Sequence, residues 1–140
     1  MDKQALLDQF NARTPGFIGL LGGSIVDLDP QGGTCEFEFN VSTDFCHSVN
    51  VVQGGFTTAM LDAAMSHAIF AQAAGEVVGV SSLEIKTSYL APTLAGKLNA
   101  VGRVRKAAYK TAFLEAELYN EAGDLTATAS SVAKLVRKKD

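Results

Sequence analysis

A single long apolar segment, residues 54–74, most constrains the fold of this chain. It has no proline, is rich in alanine, and repeats apolar side chains at three- and four-residue steps, for example Phe56, Met60 and Ala71. This spacing predicts a helix of about five turns that is apolar around most of its circumference and therefore mostly buried. Gly75 is a suitable stop for the helix.

Short alternating segments surround this helix and predict strands. Residues 34–41 alternate cleanly between apolar and polar side chains, which indicates a strand with one buried face. Two short helical segments come first, at residues 2–12 and 17–21. The same reasoning predicts six strands, at residues 24–28, 34–41, 77–90, 97–105, 111–119 and 125–136.

The predicted order is therefore two strands, one long helix and four strands, after a short N-terminal helical segment at 2–21. An antiparallel sheet must bury one face, and the long helix is the one predicted element large enough to cover it. We expect an α+β fold in which an antiparallel sheet of about six strands wraps around a central helix. Periodicity leaves other α+β arrangements open. No linker or repeat divides the chain, so residues 1–140 are expected to form one domain.

Composition limits the classes of function. Hydrophobic residues make up 47% and charged residues 19% of the chain, as expected for a globular protein. The net charge of −3 does not favour nucleic acid, and no apolar run is long enough to cross a bilayer. The polar N-terminus lacks the layout of a secretion signal, and Cys35 and Cys46 suggest neither a disulfide framework nor a metal set. We expect a cytoplasmic protein with no nucleic-acid or membrane partner.

One acidic residue stands out within the long helix. Apolar or small residues flank Asp62 on every side, while Thr58 and Ser66 lie one turn away on the same helical face. An unpaired buried carboxylate is costly, so Asp62 should be paired, protonated or functional. The spacing leaves two interpretations open, a reactive carboxylate or one that hydroxyls or solvent hold in place.

The start of the same helix is the second feature. Gln53, Gly54 and Gly55 lead directly into it, and the first N–H groups of a helix have no internal partners. Glycine lets a ligand approach this backbone closely, and the helix dipole favours developing negative charge. These groups could form an oxyanion site, although a glycine-rich helix entry without special use is the alternative.

Gly54 and Asp62 are eight residues apart, which corresponds to about 12 Å along a helix. Two groups that act on the same carbonyl must each lie about 3 Å from it. One helix cannot meet that condition. A site that uses both groups therefore needs two chains, which predicts a dimer with two equivalent sites.

At this point the sequence resembles a known family. Residues 50–62, NVVQGGFTTAMLD, are similar to the helix-entry motif of hotdog-fold thioesterases of the phenylacetate-pathway type, in which His-Gly-Gly precedes Leu-x-Asp. Residues 85–96, IKTSYLAPTLAG, resemble the family's strand and its Tyr-Leu-x-Pro turn, and residues 123–129, GDLTATA, resemble its last hairpin. The similarity runs from about residue 17 to 136 and implies a hotdog fold.

The resemblance implies hydrolysis of an acyl-CoA to a free acid and CoA. Asp62 would be the nucleophile or the base that activates water, and the Gly54 N–H would polarise the carbonyl oxygen. Ser66 matches a position where some relatives place a hydroxyl beside the carboxylate. Ser82 matches a position proposed to help position water. No metal or separate cofactor is implied, since a thioester is already activated and CoA belongs to the substrate.

Two positions depart from the family pattern. Gln53 replaces the usual His, and His47 stands where relatives typically have Asn or Gln. The Gln53 amide can hydrogen-bond a carboxylate, the loop backbone or a thioester, and His47 could orient water or the helix entry. His67 is interpreted as a packed helix residue.

The resemblance also places the CoA part of the substrate along the subunit surface. Basic residues concentrate after residue 100, and solvated surface charge is the alternative interpretation of them. Gly55 and Phe56 complete the predicted substrate-binding set at the helix start. The predicted partners of the CoA phosphates are Arg103, Arg105, Lys106 and Lys110.

The oligomer is expected to be a homodimer or a tetramer of two dimers. Two further function classes remain beside the thioesterase. A non-catalytic acyl-CoA binding or sensor module on the same fold would not need an ionised Asp62. A hotdog dehydratase or hydratase would need a His with an acid in a different motif, and the sequence has only His47 and His67.

Overall fold

The computed structural model describes residues 2–139. The predicted helices and strands are all confirmed, and their ends differ from the expected ones by no more than two residues. Between residues 2 and 139, no helix is both long and apolar enough to span a membrane. The elements are α1 (Lys3–Asn11), α2 (Gly16–Leu20), β1 (Gly23–Asp29), β2 (Thr34–Val41), α3 (Gly54–Gln72), β3 (Val77–Tyr89), β4 (Gly96–Ala107), β5 (Thr111–Asn120) and β6 (Leu125–Arg137), with a 3-10 turn at Thr43–Phe45.

The six strands form one antiparallel sheet in the order β1-β2-β4-β5-β6-β3. Helix α3 lies across this sheet and contacts all six strands. Its buried side chains, such as Met60, Leu61 and Met65, pack with Phe37 and Phe39 of β2 in one core. The expected hotdog arrangement, a sheet wrapped around a single central helix, is confirmed.

The helix and the sheet approach most closely at Gly102 of β4. A Cβ atom there would overlap the main-chain carbonyl of Ala64 and would lie 2.6 Å from the amide nitrogen of Met65. Because both obstacles are backbone atoms of α3, only glycine lets the helix lie this deep. This contact fixes the depth of the helix two residues beyond Asp62.

Strand β3 forms one edge of the sheet, and within residues 2–139 its single partner strand is β6. It follows α3 through a short turn in which Gly75 has a φ of +85°, a conformation that favours glycine. The strand therefore runs back along the helix. Several of its side chains remain exposed, including Val78, Leu83 and Tyr89 at 60%, 65% and 56%. β3 can thus supply polar groups to the side of α3 that the sheet does not cover.

Candidate active site

Asp62 lies in the middle of α3 on a stripe of half-buried residues. Ser82 of β3 donates a hydrogen bond of 2.7 Å to its Oδ1. Ser66, one turn further along, donates instead to the main-chain carbonyl of Asp62, also at 2.7 Å. Ser82 therefore orients the carboxylate through one oxygen. Among residues 2–139, Oδ2 has no hydrogen-bond partner, so it is available to a substrate or a water molecule.

The hydroxyl one turn before Asp62 has different partners. Thr58 Oγ1 lies 2.8 Å from Thr87 Oγ1 and 3.0 Å from the hydroxyl of Tyr89, both on β3. One interpretation of the sequence was that the hydroxyls of Thr58 and Ser66 hold the Asp62 carboxylate. The structure does not support it, because both hydroxyls bond to other groups. Sequence reasoning missed the roles of Thr87 and Tyr89. Their spacing of two residues on one strand face was the available signal.

Gln53 caps the start of α3. Its Oε1 accepts a hydrogen bond of 2.6 Å from the N–H of Gly55, and its main-chain carbonyl accepts from the N–H groups of Phe56 and Thr57. The bond to Thr57 is the first regular bond of the helix, and the four N–H groups that the helix start leaves free are those of residues 53–56. Three of them have partners, because the N–H of Gln53 itself donates to the carbonyl of Phe45 at 2.8 Å. The remaining one, the N–H of Gly54, has no partner within residues 2–139. It can donate to a ligand oxygen, and the helix dipole favours negative charge there.

A cavity of about 520 Å³ opens beside this amide. Its lining includes two of the predicted catalytic residues, His47 and Gly54, together with Tyr89. His47 is exposed in the segment before α3, where its main-chain N–H donates to the carbonyl of Val51 at 3.1 Å. Phe56, a predicted substrate contact, packs edge-on against Phe45 with ring centroids 4.9 Å apart. The volume is in the range of small-molecule sites.

The predicted catalytic residues thus form two groups within one chain. Asp62, Ser66 and Ser82 lie together at the middle of α3, whereas His47, Gln53 and Gly54 lie at its start. Helix α3 is continuous from Gly54 to Gln72, so the eight-residue rise separates Gly54 from Asp62 by about 12 Å. One bound carbonyl cannot reach both groups of the same chain.

The predicted CoA-phosphate partners lie elsewhere. Arg103 pairs with Glu117 at 2.5 Å and Arg105 with Glu115 at 3.5 Å, both across to β5. Each pair reduces the positive charge that its arginine offers to a ligand. Lys106 and the neighbouring Lys110 are exposed at the β4–β5 connection. Here β4 passes the C-terminal end of α3, far from Gly54 in the same chain.

His67 is a packed residue, as expected. Its ring lies 5.2 Å from that of Phe37 and 5.9 Å from that of Phe70, and its Nδ1 is 2.8 Å from the carbonyl of Ala63. A carbonyl oxygen only accepts, so Nδ1 carries the proton. Burial lowers the pKa of His67 below its usual range and favours the neutral ring. A second cavity, of about 550 Å³, lies between this ring and Phe10 of α1.

The cysteines are separate thiols. Cys35 is buried and Cys46 half-buried, and neither forms a disulfide. Burial raises the pKa of the Cys35 thiol well above its usual range, which makes it a poor nucleophile. Between residues 2 and 139, no group of three His, Cys, Asp or Glu side chains could hold a metal ion.

Comparison with known proteins identifies similar sequences and structures. The profile of the thioesterase superfamily matches residues 49–127. Among curated proteins, the uncharacterized protein C26H8.11c of Schizosaccharomyces pombe is 32% identical over 71 residues. That match covers 51% of this chain but only 39% of the yeast protein, so the chain spans well under half of that relative.

Solved structures share the whole fold. A phenylacetic acid degradation-related protein from Ralstonia eutropha JMP134 has a TM-score of 0.82 and 28% identity, and the match covers 95% of this chain and 99% of that one. The PaaI protein of the E. coli phenylacetic acid degradation operon has a TM-score of 0.81 at 18% identity, with coverage of 94% and 92%. Thioesterase HI1161 from Haemophilus influenzae gives 0.82 at 18%, with coverage of 94% and 90%.

Proposed function

Because this chain belongs to the thioesterase superfamily and has the hotdog fold, we propose that it hydrolyses acyl-CoA thioesters. Membership of the family supports thioester hydrolysis in general. The added part of the proposal is that CoA carries the acyl group. One observation carries the proposal: Asp62 stands half-buried with Ser82 on one of its oxygens, and the same helix begins with the free amide of Gly54.

In the proposed reaction, water and the thioester give a carboxylic acid and the free thiol of CoA. The Gly54 N–H donates to the carbonyl oxygen as negative charge develops there. Asp62 acts on the carbonyl carbon as nucleophile, or removes a proton from the attacking water. Ser82 holds the carboxylate in place for either route. The C–S bond then breaks, and the sulfur takes up a proton and leaves as the thiol. On the nucleophile route this leaves the acyl group as an anhydride with Asp62, which water then hydrolyses to release the carboxylic acid and the free carboxylate.

The active site is proposed to form between two copies of the chain. Gly54 and Asp62 lie too far apart on one helix to share a carbonyl, so each site takes Gly54 from one copy and Asp62 from the other. Exposed β3 is the edge where a second copy can pair. Two residues of this strand contact the site groups of α3: Tyr89 lies beside Gly54, and Ser82 lies beside Asp62. Antiparallel pairing of two β3 strands centred between Ile85 and Lys86 would place Tyr89 of one copy opposite Ser82 of the partner subunit, which brings the Gly54 end of one helix towards the Asp62 region of the other.

The acyl group is proposed to lie along the half-buried stripe of α3, from Asp62 past Ser66 to Phe70. This direction leads to the cavity of about 550 Å³ beside α1, where Phe10 and Phe70 form part of the wall. Aromatic walls favour a flat acyl group. The Ralstonia relative is described by its role in phenylacetic acid degradation, so arylacyl-CoAs are the first substrates to try.

The test measures the release of free thiol from aryl-, short-chain and medium-chain acyl-CoAs. Asp62→Asn keeps the shape of the side chain but removes its charge, so turnover should fall at least a hundredfold while the variant still binds substrate. Asp44→Asn is the matched control, because Asp44 is exposed in the 3-10 turn outside the proposed site. Tight acyl-CoA binding by wild type and Asp62→Asn without turnover on any substrate would refute hydrolysis and favour a binding or sensor module.

A further inference from the structure

A chain of three side-chain hydroxyls connects β3 to the start of α3. The Tyr89 hydroxyl donates a hydrogen bond of 2.8 Å to the main-chain carbonyl of Gly54. The same hydroxyl lies 3.0 Å from Thr58 Oγ1, which lies 2.8 Å from Thr87 Oγ1. None of the family motifs considered above assigns a role to these three side chains.

Because each hydroxyl has one proton to donate, the hydrogen bonds among these three side chains all run in one direction. A hydroxyl group carries a single proton, and Tyr89 uses its own on a carbonyl, which can only accept. Tyr89 must therefore accept from Thr58, whose proton is then used, so Thr58 accepts from Thr87. Each donation polarises the next hydroxyl, which strengthens the last bond, to Gly54.

The carbonyl at the end of this chain belongs to the peptide group between Gly54 and Gly55. The N–H of that same peptide group is the one that Gln53 Oε1 accepts at 2.6 Å. The peptide is thus held on its carbonyl side by Tyr89 and on its amide side by Gln53. Two successive glycines form a flexible stretch of backbone, so these two side-chain bonds add to the helical bond from the Thr58 N–H in holding its orientation.

Close packing supports the same conclusion. A Cβ atom at residue 54 would lie 2.9 Å from the Tyr89 hydroxyl oxygen and 3.0 Å from Cζ of its ring. The aromatic ring therefore approaches the backbone at a place where any larger residue would displace it. By contrast, a Cβ at residue 55 would meet nothing closer than 3.7 Å, at Gln53 Oε1.

From this arrangement we infer that Tyr89 is a positioning residue, which holds the carbonyl of Gly54. The free N–H lies on the other side of the Gly54 Cα, in the peptide group shared with Gln53, so holding the carbonyl restrains the direction in which this N–H points at the thioester oxygen. The inference rests on the proposed function for the identity of that oxygen. Tyr89 makes no bond to the reacting atoms in this role. Thr58 and Thr87 support it by fixing the position and the proton of the Tyr89 hydroxyl.

The test removes the hydroxyl with Tyr89→Phe and measures kcat and KM separately on the best acyl-CoA. A misdirected oxyanion donor weakens binding of the transition state more than that of the substrate, so kcat should fall about tenfold while KM changes less than about twofold. Thr58→Val should lower kcat by a smaller factor, and Thr58→Ser, which keeps the hydroxyl, should restore it. The double variant should be no slower than Tyr89→Phe alone, because both changes act through one bond. Tyr109→Phe, at an exposed tyrosine distant from the helix start, is the control and should match wild type.

Hydrogen exchange of the Gly55 amide gives a second measurement that does not depend on activity. In Tyr89→Phe this amide should exchange about five- to tenfold faster, because its peptide group has lost one of its two side-chain hydrogen bonds. Unchanged exchange together with an unchanged kcat would overturn the positioning role even though wild type hydrolyses the thioester. If wild type hydrolyses nothing, the proposed function fails, and exchange at Gly55 still decides whether Tyr89 holds the peptide.

Discussion

Replacing Gly102 by alanine should lift α3 away from the sheet. The new Cβ would lie 2.6 Å from the Met65 amide nitrogen and would overlap the Ala64 carbonyl, whereas ordinary contact begins near 3.4 Å. To relieve the contact with Met65 alone, helix and strand must move apart by about 0.8 Å. Overpacking usually costs about 1–3 kcal/mol, and backbone atoms cannot rotate out of the way, so we expect about 3 kcal/mol.

For a chain of this length, losing about 3 kcal/mol of folding stability corresponds to a decrease in Tm of about 10 °C. Thermal unfolding followed by circular dichroism would measure it. Gly19→Ala in α2 is the matched control, because a Cβ there meets nothing within 4 Å, and its Tm should stay equal or rise. Gly102→Ala should also lose activity well below its Tm, since Ala64 is two residues from Asp62. A Tm within about 2 °C of wild type would refute the claim that this contact sets the helix depth.

Two further predictions concern single side chains. Ser82→Ala removes the bond to Asp62 Oδ1 and should lower kcat about tenfold, whereas Ser81→Ala, whose side chain points to the other face of β3, should not; equal rates for both variants would contradict the role of Ser82. Burial lowers the pKa of His67, so the unfolded chain binds a proton at this histidine more readily than the folded chain does. The neutral, buried ring therefore adds to the free energy of unfolding above about pH 6.5, and this addition is lost as the pH falls towards the folded-state pKa. Urea unfolding at about pH 7 and about pH 5 should therefore show a larger loss for wild type than for His67→Phe, and equal losses would exclude this linkage.

Much of the fold follows from local patterns. The helical spacing of residues 54–74 and the alternation of residues 34–41 predicted α3 and β2 because each periodicity reflects one buried face. The order of strands in the sheet did not follow in the same way. Alternation states which face of a strand is buried but not which strand lies beside it, so the position of β3 at the edge required the structure.

The candidate site was predictable to a different extent. Asp62 was recognisable because a carboxylate among apolar helix residues is costly, and Gly54 because a Gly-Gly pair opens a buried helix. The bond from Ser82 to Asp62 joins residues 20 positions apart, and nothing local encodes it. The same holds for Tyr89, which is 35 residues from the carbonyl it contacts. In both cases the contact arises because β3 turns back along α3, which is a tertiary event.

The edge position of β3 has a consequence for how this protein would respond to dilution. The groups that orient Asp62 and Gly54 both come from this least covered strand, and a twofold site would form only while two such strands are paired. Specific activity would then depend on protein concentration, with a sharp decline once the subunits separate. A subunit separated from its partner would hold only half of each site and would be inactive until it paired again, so assembly would control activity.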